Sequence, residues 1–156
     1  MRTFAVAGLV AIAALMLVPA LLGYERYVIT GGSMGDAIPR GSLAYARTVP
    51  VERLRVGDVI TYTPPGRGEP VTHRIVALGA GAEVRTKGDA NRAADPWRSR
   101  LPGPRQAVVR FDVPLAGYAF AALSIRWVRM LVIGLPALAV ALASLARLRP
   151  ARAVAA

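Results

Sequence analysis

Two uncharged apolar runs, one near each end, limit how much of this chain is left to fold in water. From Thr3 to Gly23 no residue carries a charge, and alanine, leucine and valine dominate. About 20 such residues cross a bilayer core as a helix. The positive start at Arg2 also fits a cleavable signal peptide. Against that, the run is long for a signal core, and no clear Ala-x-Ala site follows Leu21-Leu22-Gly23-Tyr24. Residues 1–24 read as a retained N-terminal transmembrane anchor. The second run, Met130 to Ala146, forms the heart of an expected helix over residues 127–147. It is shorter, and tilt, bilayer thinning or snorkelling of Arg129 makes up its length. Pro136 within it predicts a kink. Arg147, Arg149 and Arg152 follow with no acid near them, so the positive-inside rule puts the basic tail, 148–156, in the cytoplasm. Two spans then place residues 25–126 on the extracytoplasmic side of the cell membrane, in a multi-pass protein.

That middle segment has room for one ordinary domain in a chain of 156 residues. Short runs rich in Val, Ile, Thr and Tyr alternate with Gly, Pro and charged turns: Ser42 to Val49, Asp58 to Thr63, Val71 to Leu78, Glu83 to Lys87 and Ala107 to Phe111. This texture predicts a mainly β domain, not βαβ units. The arginine-rich stretch Arg92 to Arg105, with three prolines, reads as a surface loop. Val113 to Ile125 is apolar but broken by Pro114 and Gly117, and is expected to lie against the domain or the membrane interface.

Composition narrows the chemistry. With no cysteine, disulfides, thiolate metal sites and cysteine nucleophiles are excluded. The formal charge of +11 raises nucleic acid and anionic membrane as partners. All nine acids lie between Glu25 and Asp112, mixed with arginines, so the middle is only moderately basic. Neither a basic helix nor an aromatic-and-arginine stacking surface is present, which favours the lipid bilayer over nucleic acid.

The stretch Thr30 to Ser42 sets Ser33 among four glycines just beyond the first apolar run. Glycine permits turns that other residues resist and lets another backbone approach closely. A serine so placed can present its hydroxyl to a carbonyl and its amide to the resulting oxyanion. Such a nucleophile needs a base, and the chain offers one histidine, His73, and one lysine, Lys87. A histidine, with a reference pKa of about 6.5, accepts a proton near neutrality, whereas a lysine must first be depressed by burial. Asp89 and Asp95 are both candidates to orient the imidazole.

Four boxes occur in order: Gly31-Gly32-Ser33-Met34, Gly57-Asp58-Val59-Ile60-Thr61-Tyr62, Thr72-His73-Arg74-Ile75-Val76, and Thr86-Lys87-Gly88-Asp89-Ala90-Asn91 running on to Asp95. A fifth, Val113-Pro114-Leu115-Ala116-Gly117-Tyr118, closes the series. Over residues 24 to 120 the chain resembles the type I signal peptidases, in the archaeal and endoplasmic-reticulum branch that pairs serine with histidine. The resemblance implies a signal-peptidase-like β domain flanked by two transmembrane helices. It also implies a serine endopeptidase that removes signal peptides from exported pre-proteins. Carried over, Ser33 is the nucleophile, His73 the general base and Asp95 the orienting carboxylate. Asp89 is a second matched acid supporting the site or its loop, and Lys87 belongs to a structural box. Backbone amides, that of Ser33 among them, hold the oxyanion, with Gly32 and Met34 beside it as oxyanion or substrate-binding positions. No metal or organic cofactor is implied, and the resemblance leaves membrane partner subunits unspecified.

Three departures from the family pattern bear on rate. Gly31 stands where the family has a serine, Gly35-Asp36 where it favours an acid and a proline, and Ser42 where it has aspartate. Loss of one oxyanion donor lowers kcat by about 10² to 10³. These changes keep two alternatives in view: a processing peptidase dedicated to a narrow set of secreted, pilin-like or matrix proteins, and a catalytically silent anchored binding module. The tether favours the signal peptidase. Ten residue steps from Gly23 to Ser33 span at most about 33 to 36 Å, which keeps the serine near the bilayer surface.

Overall fold

The computed structural model describes residues 17–147. Most of the expected N-terminal span and the whole basic tail lie outside the described residues. Contacts divide the chain into two compact units, residues 1–118 and 119–156.

The first unit is built on one antiparallel sheet. Its strands are β1 (Glu25–Val28), β2 (Leu43–Pro50), β3 (Val59–Tyr62), β4 (Val71–Leu78), β5 (Glu83–Lys87), β6 (Ser99–Arg100) and β7 (Arg105–Val113). Their order across the sheet is β1-β2-β7-β3-β4-β5-β6, so β7, the last of these strands in sequence, lies between β2 and β3. Each run expected to be β forms a strand, and the mainly β expectation holds. The stretch from Arg92 to Arg105 departs from the surface loop expected of it. Ser99 and Arg100 pair with Val84 and Glu83 as an edge strand, and Leu101 is buried in the core. Two residues are too few for alternation to register in the sequence, and the surrounding arginines mask them.

Alternation gives the sheet two apolar faces. Ile60 and Tyr62 on β3, Ile75 on β4, Val84 on β5 and Val108 on β7 gather with Leu54 and Leu101 into one cluster. Val59, next to Ile60 and so on the other face, joins Ile29, Met34, Ile38 and Ala44 in a second. Ile60 lies opposite both His73 on β4 and Val108 on β7, which makes it the packing centre of the strands that carry the site.

The end of the unit closes on a glycine contact. The Gly117 amide donates to the Gly41 carbonyl at 2.9 Å. A Cβ on Gly117 would come within 2.6 Å of the carbonyl oxygens of Gly41 and Ser42. Gly41 itself has φ +85°, and a Cβ there would strike the Tyr118 ring. The start of the stretch after Val113 thus packs on the domain, as expected. Ser42, beneath this contact, is fully buried, and its hydroxyl has no hydrogen-bond partner among the described residues.

Helix α1 (Ala116–Ser124) leads into the second unit, which is helical: α2 (Arg126–Arg129), a turn of π-helix over Met130–Gly134, and α3 (Leu135–Arg147). From Arg126 to Leu145 these form a 20-residue helix of mean hydropathy 2.1, with none of it buried. It is the one helix among the described residues long and apolar enough to cross a membrane. Pro136 lacks an amide, and its ring crowds the carbonyl four residues back. The π turn just upstream widens the helix where that conflict falls.

Replacing Ile60, which is fully buried, by alanine leaves a cavity between three strands and lowers stability by about 2–5 kcal/mol. Urea unfolding of the full chain in detergent measures this, and a loss below about 1 kcal/mol contradicts the placement of the core.

Candidate active site

Ser33 sits in the connection between β1 and β2, and the loop is fixed on both sides of it. At its base, the Gly41 amide donates to the Ile29 carbonyl at 2.7 Å and the Ile29 amide to the Ser42 carbonyl at 2.9 Å. Next to the serine, the Met34 side chain is buried in the second apolar cluster. The Gly35 amide turns back to the Gly32 carbonyl at 3.1 Å, leading into a 3-10 turn over Gly35–Ala37.

The segment after β5 supports the serine from behind. The Ala90 amide donates to the Ser33 carbonyl at 2.9 Å. A Cβ on Gly88 would lie 2.6 Å from that carbonyl oxygen and 2.9 Å from the Ser33 Cβ. Only glycine allows this approach. The Thr86-to-Asn91 box and the serine loop are two halves of one contact.

His73 comes from β4, whose alternation buries it with Ile75 and leaves Val76 exposed. Its Nε2 lies 2.9 Å from Ser33 Oγ, and its Nδ1 lies 2.6 Å from Asp95 Oδ2. Asp95 is 5% exposed and His73 6%, so water has little access to this pair. A carboxylate only accepts, so Nδ1 carries the proton and donates to Asp95. Nε2 is then the free lone pair, and the Ser33 hydroxyl donates to it. Hydroxyl, imidazole and carboxylate form one continuous line.

Asp89, the other candidate acid, lies elsewhere. It takes a forked contact from Arg74, with Nε to Oδ1 at 2.9 Å and Nη2 to Oδ2 at 2.5 Å. Arg74 Nη1 also donates to the Gly57 carbonyl at 2.8 Å. These bonds tie the turn after β5 to β4, next to His73 in sequence. Lys87 ends β5 in register with Arg74 and has no hydrogen bond or ion pair to Ser33 among the described residues. Gly31, Ser33 and Met34 line a cleft of about 530 Å³ in front of the imidazole, with Val28, Asn91 and Trp97 among its other walls. Gly32 is not among the residues lining it. Met34 as a whole residue is 1% exposed, so it adds almost no accessible surface to the cleft.

Sequence reasoning missed the support behind Asp95. The Thr86 hydroxyl donates to Asp95 Oδ2 at 2.6 Å, Tyr62 bonds Thr86, and the Trp97 indole donates to Tyr62. Thr86 and Tyr62 stand inside quoted boxes, but nothing in their spacing tells a packing residue from a hydrogen-bonding one.

The Arg74 hydrogen bonds hold the Asp89 carboxyl below its ordinary value. The pair therefore stabilises the fold above the ordinary carboxylate range, and the contribution vanishes as pH falls through the lowered value. Asp89→Asn should lower the thermal midpoint at about pH 7, with the gap to wild type narrowing as the pH falls below the ordinary carboxylate range. A gap that stays constant across that range contradicts the pairing.

No protein-family model matches the chain. Individual relatives do. The chain is 31% identical over 129 residues to the signal peptidase complex catalytic subunit of Colletotrichum graminicola, covering 74% of this chain and 73% of the relative. To the same subunit of Neurospora crassa it is 34% identical over 129 residues, with the same coverage. The subunit of Pyricularia oryzae matches at 41% over 73 residues, 44% of this chain and 42% of that one. Identity of this extent over most of both chains, with a serine, an imidazole and a carboxylate in line, leads to one conclusion: the chain belongs to the signal peptidase catalytic-subunit family, a family of peptidases.

Proposed function

We propose that this protein is a membrane-anchored serine endopeptidase that cleaves signal peptides from exported pre-proteins. In this reading Ser33 is the nucleophile, His73 the general base and Asp95 the orienting acid. The observation that carries it is the unbroken contact from Ser33 Oγ through the imidazole to Asp95 Oδ2. The names of the relatives support the substrate class.

The reaction follows from the tautomer. Ser33 Oγ attacks the scissile carbonyl carbon while its proton passes to His73 Nε2. Asp95 stabilises the imidazolium without itself taking a proton. Collapse of the tetrahedral intermediate breaks the peptide C–N bond, and Nε2 returns the proton to the departing amine. Water, deprotonated by the same nitrogen, then hydrolyses the acyl-enzyme. The oxyanion is held by backbone amides at Ser33 and its neighbours. In support, neither the Ser33 nor the Met34 amide has a backbone acceptor among the described residues. Glycine at position 31 offers no hydroxyl to share this task, which favours a modest rate.

The peptide lies extended in the cleft, making backbone hydrogen bonds along the free side of β1, an edge strand of the sheet. The division of the chain is the one read from sequence: an anchor over residues 1–24, a catalytic domain over 25–126, a second span over 127–147 and a cytoplasmic tail over 148–156. The Arg126–Leu145 helix supports the second span. The catalytic domain is extracytoplasmic, and membrane partner subunits accompany it, as the naming of the relatives as parts of a complex suggests.

Processing of one pre-protein in membranes, followed by gel shift, tests these roles. Ser33→Ala abolishes cleavage, His73→Ala slows it by about 10³-fold or more, and Lys87→Ala leaves it within about threefold of wild type. Activity kept in His73→Ala but lost in Lys87→Ala overturns the assignment.

A further inference from the structure

Behind the carboxylate runs a buried line of hydroxyls whose direction is fixed at both ends. The Trp97 indole Nε1–H can only donate, and it points to Tyr62 Oη at 2.9 Å. The Asp95 carboxylate can only accept, and it takes the Thr86 hydroxyl proton at 2.6 Å. Thr86 has no second proton, so across the 2.6 Å contact between them Tyr62 is the donor. Every proton in the line points toward Asp95. Thr86 is fully buried and Tyr62 is 5% exposed, so no water competes for these groups.

Thr86 also holds Asp95 by the main chain, since the Asp95 amide donates to the Thr86 carbonyl at 2.8 Å. Two bonds between the same two residues fix both the position and the tilt of the carboxylate. Oδ2, the oxygen that Thr86 grips, is the one that receives His73 Nδ1–H. The far end of the line meets the cleft. Trp97 forms part of its wall, with the Arg67 guanidinium stacked 4.9 Å over the ring.

We infer that Thr86 and Tyr62 are positioning residues of the reaction, anchored by Trp97 at the cleft wall, which lock Asp95 so that His73 stays in the tautomer that can accept the serine proton. The inference rests on the Ser33, His73 and Asp95 roles proposed above. Hydrogen bonds in such a line polarise one another. Without the Thr86 hydroxyl the carboxylate keeps its charge but loses its fixed aim. The imidazole is then free to flip or to change tautomer.

The chain contains a single histidine, so full-length protein labelled with ¹⁵N-histidine in detergent micelles reports this one ring. The wild type should show Nδ1 protonated and Nε2 bare at neutral pH. Thr86→Val, which keeps the shape and removes the hydroxyl, should lower kcat on a signal-peptide substrate by about 10- to 100-fold. KM should stay within about twofold, and the ¹⁵N signals should move toward a mixture of tautomers. Thr86→Ser should restore both kcat and spectrum. Tyr62→Phe keeps the ring and should lower kcat by a smaller factor of about 3- to 10-fold, which preserves the test if Thr86→Val does not fold. Wild-type kcat and an unchanged spectrum in Thr86→Val, or in Tyr62→Phe where the first does not fold, overturn the inference. So does a loss in Thr86→Val that Thr86→Ser fails to restore. The underlying roles are judged separately by Ser33→Ala: cleavage persisting there refutes the nucleophile itself, whereas an inert Ser33→Ala beside a normal Thr86→Val refutes only the positioning line.

Discussion

A carboxylate out of reach of water must be supplied with hydrogen-bond donors or the fold loses several kcal/mol. Asp95 is such a group, and the arrangement of strands around it is the solution. Its donors are a ring nitrogen from β4 and a hydroxyl from β5, two antiparallel strands joined by a short hairpin, with a register shift between Ile75 and Ala77. The loop that brings Asp95 back to them is held by its own amide on the Thr86 carbonyl. Buried polar groups of this kind are costly when half satisfied and rigid when fully satisfied. The rigidity is what the proposed reaction, dependent on the 2.9 Å hydroxyl–imidazole contact, requires.

The second requirement is that a flexible, glycine-rich loop present its serine at a fixed point. Three contacts from different parts of the chain achieve this. Met34 is pinned in the apolar cluster, Gly88 sits flush against the Ser33 backbone, and the Ala90 amide takes its carbonyl. The close approach is made by Gly88 across from the serine, whereas a Cβ on Gly31 or Gly32 would meet open space. Asp89 belongs to this scaffold. Its fork with Arg74 ties down the same turn that presses on Ser33, which explains an acid in that box that never reaches the imidazole.

Much of this was legible in the residues, for reasons that differ from place to place. The long strands announced themselves by β-branched runs ending at Gly and Pro, as at Tyr62 before Pro64-Pro65-Gly66. Strand β6 did not, because two residues, one of them an arginine, carry no period. Its neighbour Leu101 is a core residue with nothing local to mark it. Ser33 and His73 stood out because the chain has so few alternatives, with one histidine and one lysine to choose from. The choice between Asp89 and Asp95 could not be read from composition, since both lie in the connection that follows β5. What separates them is their partners on β4: Arg74 captures the first, while His73, its neighbour on the opposite face, holds the second. The Trp97–Tyr62–Thr86 line depends on three segments meeting in space, so no linear spacing encodes it.

The central claim is that the imidazole activates this one serine. Its most direct measurement is mass spectrometry of the full-length chain after brief exposure to a serine-reactive phosphonylating reagent at neutral pH, with sites mapped by peptide. The account predicts a single adduct on Ser33 in the wild type and almost none in His73→Ala. Equal labelling of Ser33 in both proteins, or labelling spread over other serines while Ser33 stays unmodified, would contradict it.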